Sequence, residues 1–146
     1  MYVSISLRSG IVYAPTMGQM SKGFYRGVEP VAVVAAANAE ALREALQATV
    51  DRGNPNVPML KRREWPDPVV LKYAGVKKWS VFERGMMLWG IEGEGGTFLI
   101  AGKSKQRDGM WRNDPNRILE FPPGSPVDEV IERMIAILQD AAGKGS

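Results

Sequence analysis

Two glutamates separated by a single glycine, in the stretch Glu92-Gly93-Glu94-Gly95-Gly96, are the side chains whose spacing first suggests chemistry. Paired carboxylates can hold a hard cation or divide the roles of acid and base between them. The spacing is not that of an EF-hand loop. Nor do the glycines end in Lys-Ser/Thr or lead into a helix, as a phosphate-binding loop requires. The stretch therefore reads as a glycine-rich turn between strands carrying two solvated glutamates. A second group is basic and aromatic. Lys103, Lys105, Arg107 and Arg112 are interleaved with Trp111, Lys61-Arg62-Arg63 stands beside Trp65, and Lys72, Lys77 and Lys78 stand near Tyr73 and Trp79. Cations that follow a phosphate backbone, next to indoles that stack on bases, are how single-stranded nucleic acid is held. Basic loops with a nearby tryptophan also occur in proteins that bind none.

Among 146 residues there is no Cys and no His. Disulfides, thiolate nucleophiles, imidazole bases, Ser-His-Asp or Cys-His catalytic units and soft Cys/His metal sites are all excluded, because each needs a side chain this chain lacks. The remaining candidates for catalysis are Asp, Glu, Lys, Tyr, Ser and Thr. No Ser/Lys pair or carboxylate dyad is marked by spacing, so the expectation is of a protein that is not an enzyme and carries no cofactor or metal.

The net charge of +3 conceals an uneven distribution. Residues 1–60 carry 5 basic and 4 acidic groups, residues 61–112 carry 11 and 6, and residues 113–146 carry 3 and 6. The middle is basic and the tail acidic, so the bulk charge does not select a partner. The longest apolar run, Val31 to Ala37, is far short of the roughly 20 residues that span a bilayer. The Met1 end lacks the basic-then-apolar pattern of a secretion signal. The expected location is the cytoplasm, in agreement with the absence of cysteine.

The elements that must position these side chains follow from periodicity. Val3, Ile5 and Leu7 alternate with polar residues as in a half-buried strand. After a turn at Ser9-Gly10, Ile11–Ala14 reads as the return strand, ended by Pro15. Thr16–Gly27 has no sustained period and reads as a loop, and Pro30–Ala36, without polar alternation, as a buried central strand. Asn38 is suited to cap a helix over Ala39–Arg52, with Leu42 and Leu46 on its apolar stripe and Gly53 as its stop. Four prolines, Pro55, Pro58, Pro66 and Pro68, make Asn54–Pro68 a long loop. Val69–Gly75 fits either a short helix or a strand.

From Lys77 onward the pattern is antiparallel sheet. Runs at Trp79–Glu83, Met86–Ile91 and Thr97–Ala101 are separated by short glycine-containing turns, as in a meander. Lys103–Asp108 reads as a polar loop, Met110-Trp111 as the resumption of a strand, and Arg117–Phe121 as a last one. Ser125-Pro126-Val127-Asp128 then opens a strongly amphipathic helix running to about Ala142, with Asp128, Glu129 and Glu132 near the positive end of its dipole. The sum is a single α+β domain over residues 1–146: an antiparallel sheet of about six to eight strands with two main helices against one face. Of the four tryptophans, Trp89 belongs to the core, Trp65 in its proline-rich loop is placed to reach the surface, and Trp79 and Trp111 are open.

The last third carries Trp111-Arg112-Asn113-Asp114, then Ile118-Leu119-Glu120-Phe121-Pro122-Pro123-Gly124-Ser125, then a closing amphipathic helix. In this it resembles the carboxyl half of small bacterial immunity proteins from contact-dependent growth inhibition systems. The resemblance implies stoichiometric binding of a cognate toxin C-terminal domain, usually a nuclease, without catalysis. Trp65, Glu92, Glu94, Arg107 and Trp111 are the exposed groups expected to bind the partner. Partners of basic nucleases tend to be acidic, so a complementary patch has to be local, with Glu92, Glu94, Asp128, Glu129 and Glu132 as candidates; complementary charge mainly steers encounter. A free sheet edge offers strand pairing as another route. The alternative is a small nucleic-acid-binding domain using residues 61–112, and a metal-dependent enzyme working with carboxylates alone is a third reading.

Overall fold

In the computed structural model, which describes residues 1–145, six strands form one antiparallel sheet. In chain order they are β1 (Tyr2–Arg8), β2 (Ile11–Ser21), β3 (Phe24–Ala35), β4 (Met87–Glu94), β5 (Thr97–Lys105) and β6 (Trp111–Glu120). Across the sheet they lie β3-β2-β1-β4-β5-β6, so β3 and β6 are the edges. Two long helices, α1 (Ala39–Arg52) and α4 (Val127–Gly145), and two short ones, α2 (Val70–Ala74) and α3 (Trp79–Phe82), complete an α+β fold.

Alternation along the strands divides the apolar side chains between two layers. Val3, Ile5 and Leu7 of β1 stand beside Ile91, Trp89 and Met87 of β4 in register, and all six pack under α1 and α4. The helices contribute Leu42 and Leu46, then Val130, Ile131, Met134 and Leu138, all essentially without solvent exposure. The opposite face is covered only in part. There Tyr13 and Leu88 meet Val70, Leu71 and Phe82 of the short helices in a second, smaller core.

α1 begins as its cap requires, with the Asn38 side chain accepting from the Ala41 N–H at 3.1 Å, and Gly53 ends it at φ 70°. α2 takes the helical alternative for its segment, closed by Gly75 in the left-handed region with its N–H on the Leu71 carbonyl. α4 begins at Val127 and runs to Gly145, beyond Ala142. The Ser125 hydroxyl donates to the Pro122 carbonyl at 2.7 Å instead of capping it.

Several expectations are corrected. Pro15 does not end its strand, and Thr16–Gly27 is not a loop: β2 runs on to Ser21 and returns as β3. The reason lies in the neighbour. β1 and β2 pair only from Ser6↔Tyr13 to Arg8↔Ile11, so beyond Tyr13 no β1 ladder needs an N–H from Pro15. Asn54 fills the space where the strands part. Its Oδ1 accepts from the Tyr2 N–H at 2.9 Å, and its Nδ2 donates to the Tyr2 and Met17 carbonyls at 2.8 and 2.9 Å.

Pro30–Ala36 is not a central strand; it belongs largely to edge strand β3, with Val33 42% exposed. Its unbroken apolar run serves two layers instead, Ala32 and Val34 against the helix-side core and Val31 against the smaller one. Trp79–Glu83 is not a strand either. Trp79 and Phe82, three residues apart, share a helical face and stack at 5.4 Å, which buries Phe82 completely. Lys103–Lys105 continues β5, so the loop is confined to Gln106–Met110. Met110-Trp111 and Arg117–Phe121 are not two separate runs, since one strand covers Trp111–Glu120. Pro115 is tolerated within it because β6 is an edge.

Candidate functional site

The partly covered face of the sheet is where the sequence-selected side chains gather. Strand alternation places Tyr2, Ser4 and Ser6 of β1, Leu88, Gly90 and Glu92 of β4, and Leu99, Ala101 and Lys103 of β5 on it. Gly90 leaves room here: a β-carbon would lie 3.0 Å from the Tyr2 ring and 3.3 Å from the Lys103 chain, so either would have to shift slightly. Those two side chains cross over it, with the Lys103 ammonium donating to the Tyr2 hydroxyl at 2.5 Å and lying 4.8 Å from the ring centroid.

Beside them, at the β2–β3 side, the loop carrying Trp65 roofs a cavity of about 280 Å³. Trp65, Trp79, Tyr25 and Met17 are among its walls, together with Pro66 and Pro68; Ser4, Ser6 and Asp67 are its polar members on β1 and the loop. Trp65 is 53% exposed, and its indole N–H donates to the Leu60 carbonyl at 3.0 Å, which fixes the ring. The loop is shaped by a single 3₁₀ turn, Arg62–Glu64, in which the Glu64 carboxylate accepts from the Lys61 N–H at 2.9 Å.

Trp111 is half-buried and packs on the smaller core. Its indole N–H donates to Glu83 at 3.2 Å, and Lys105 holds the other Glu83 oxygen at 2.5 Å. Those two bonds, with Lys105 the larger cause, hold the Glu83 carboxyl below the usual carboxylate range. Glu92 and Glu94 lie in β4 rather than in the turn, which is left to Gly95 and Gly96 at positive φ. Glu92 accepts from the Asn113 side chain at 2.9 Å, whereas Glu94 is exposed near the β4–β5 hairpin. Arg107 is exposed in the β5–β6 hairpin. The face thus brings Trp65, Glu92 and Trp111 to one side of the sheet, with Glu94 and Arg107 at its margins; none of the five touches another through a hydrogen bond.

The charge pattern of the sequence becomes a division between layers. Segment 61–84, which contains the short helices, carries seven basic and three acidic residues, whereas α1 and α4 together carry four basic and seven acidic. Asp128, Glu129 and Glu132 therefore lie on the far side of the sheet from Trp65. There Glu132 is tied to α1 by a two-pronged bond from Arg43, at 2.6 and 3.0 Å. Of the cations proposed to follow a phosphate backbone, Lys105 is held by Glu83, Arg112 by Asp108 at 2.8 Å, and Lys103 by Tyr2. Among the described residues no three Asp or Glu side chains converge as a metal site, and no helix is long and apolar enough to cross a membrane.

Sequence reasoning missed Asn54, Glu83, Tyr2 and Tyr25. Asn54 and Glu83 act across long stretches of chain, which no local spacing marks.

An α+β sheet with its long helices on one face and a tryptophan-roofed cavity on the other defines the class. Solved structures share this fold, two of them nearly over their full length. One is a protein of unknown function from Neisseria meningitidis, with a TM-score of 0.62 and 12% identity, covering 97% of this chain and 92% of that one. The other is a chain of a CdiA-CT/CdiI toxin and immunity complex from Yersinia pseudotuberculosis, with a TM-score of 0.61 and 11% identity, covering 97% and 95%. No protein-family model matches the chain, and no curated protein matches it in sequence.

Proposed function

We propose that this chain is a cytoplasmic immunity protein of a contact-dependent growth inhibition system, which neutralises a cognate toxin C-terminal domain, a nuclease in this reading, by stoichiometric binding and not by catalysis. The observation that carries it is the nearly full-length likeness of fold to a chain of a toxin and immunity complex. It agrees with the resemblance carried by residues 111–125 and with the lack of Cys and His, which removes the common catalytic units.

The binding surface in this reading is the partly covered sheet face, with Trp65 and Trp111 as aromatic anchors and Glu92, Glu94 and Arg107 around them. Tryptophan and arginine dominate interface energetics when a partner desolvates them. Nucleic-acid binding through residues 61–112 is less well supported around Trp111, where Lys103, Lys105 and Arg112 already have partners within the fold, and rests on Lys61, Arg62, Arg63, Lys77 and Lys78.

Affinity purification of the tagged chain from its producing strain tests the reading. Recovery of one toxin domain in a one-to-one complex is expected. Recovery of no protein partner, together with salt-sensitive retention on a polyanion, would replace it with the nucleic-acid alternative.

A further inference from the structure

We infer that the cavity beneath Trp65 is an anchor site for an acidic segment of a partner protein, which inserts one large apolar side chain between Trp65 and Trp79. The inference rests on the reading of the chain as a protein-binding domain and names the chemistry of what it binds. At about 280 Å³ the cavity lies just under the range of about 300–1,000 Å³ usual for small-molecule sites. Its size suits a single side chain. Its walls are chiefly aromatic, aliphatic and proline side chains, the surroundings in which a buried interface anchor gains most of its energy.

The acidic character follows from what surrounds the opening. Lys61, Arg62 and Arg63 immediately precede the loop residues that reach Trp65, and Lys77 and Lys78 immediately precede Trp79. Both basic groups are therefore held within a few residues of the cavity wall. All five side chains are exposed, and among the described residues none has a salt-bridge partner. None of the five lines the cavity itself, but Arg26 does, with its Nε buried and without a hydrogen-bond partner; cations in and near an apolar cavity attract carboxylates and speed encounter.

A peptide fits better than a nucleic acid. One face of the Trp79 ring is already stacked on Phe82, so only its other face is open to an incoming group. Asp67, Ser4 and Ser6 are the polar members of the lining that can accept main-chain N–H groups. A phosphate backbone brings only acceptors: Arg26 would attract it, but Asp67 would repel it and be left without a donor.

Panning a random twelve-residue peptide library against the full chain tests this without knowledge of the toxin, so it can fail independently of the immunity reading. Selected peptides are expected to combine net negative charge with one Trp, Phe, Leu or Met. A fluorescein-labelled winner should bind roughly tenfold more weakly to Trp65→Ala. The exposed double variant Arg62→Glu/Arg63→Glu, with an unchanged circular dichroism spectrum, should also weaken binding and reduce its salt dependence. Four results would overturn the inference: no enrichment, winners without acidic residues or an apolar anchor, affinity unchanged in both variants, or tighter binding of a dT12 oligonucleotide than of any peptide. Self-association in sedimentation that Trp65→Ala abolishes would likewise overturn it, by assigning the cavity to a second copy of the chain.

Discussion

The indole of Trp111 and the carboxylate of Glu83, 28 positions apart in sequence, are joined by a 3.2 Å hydrogen bond that ties edge strand β6 to the end of α3. Lys105 completes the arrangement from β5. Because the bond is charge-assisted, it fixes the orientation of an aromatic side chain at the margin of the proposed binding face.

A pH dependence follows from Glu83. Its carboxyl is held low, first by Lys105 and then by Trp111, and Glu29, Asp108, Asp114 and Glu132 are lowered in the same direction by Lys72, Arg112, Ser104 and Arg43. With depressed folded-state values, the unfolded chain binds more protons in acid. The associated stability is present above the ordinary carboxylate pKa of about 4 and is lost as pH falls through the folded values. Thermal unfolding should show Tm falling below about pH 4, and Glu83→Gln should flatten part of that fall. A Tm that rises on acidification would contradict the assignment.

Asn54 makes a second prediction. Its one side chain satisfies three backbone groups where β1 and β2 part. Asn54→Leu leaves the Tyr2 N–H and the Tyr2 and Met17 carbonyls without that partner, and should cost about 1–3 kcal/mol. Urea denaturation measures the loss, and hydrogen exchange at the Tyr2 amide should accelerate in parallel. Unchanged stability and protection would show that the gap closes without it.

Glycines on the helix side of the sheet are not equivalent. A β-carbon on Gly18 would lie 2.6 Å from Val57 Cγ1, a short branched side chain on a strap bonded to β2 through Gln19. On Gly102 it would meet the far end of Arg117, also at 2.6 Å, a flexible chain that can swing away at the cost of its hydrogen bond to the Lys103 carbonyl. Gly18→Ala should destabilise by about 1–3 kcal/mol and Gly102→Ala by much less. Equal losses in chemical denaturation would refute the distinction.

Much of this fold was legible because the relevant signals are local. The alternation of Val3, Ile5 and Leu7, the Asn38 cap with Leu42 and Leu46 behind it, and the broad stripe of the closing helix each specify an element within a few residues. The β2–β3 hairpin was illegible for the opposite reason. Pro15 is admissible only because β1 has already diverged, a fact about a neighbouring strand. A four-residue helix such as Trp79–Phe82 is too short for a helical period to outweigh its strand-like composition. At the site, the exposure of Trp65 followed from its proline-rich loop. The clamp on Trp111 and the cavity under Trp65 depend on contacts distant in the chain, which no spacing encodes.

Protection in cells tests the central claim most directly. The toxin domain recovered with the chain is expressed inducibly in a laboratory bacterium, with or without the chain, and growth rate is measured. Growth should be restored fully by the natural chain and only partly when Trp65 and Trp111 are both replaced by Ala in a variant that still folds. Arrested growth despite abundant folded chain, with no complex between the two purified proteins, would contradict an immunity function.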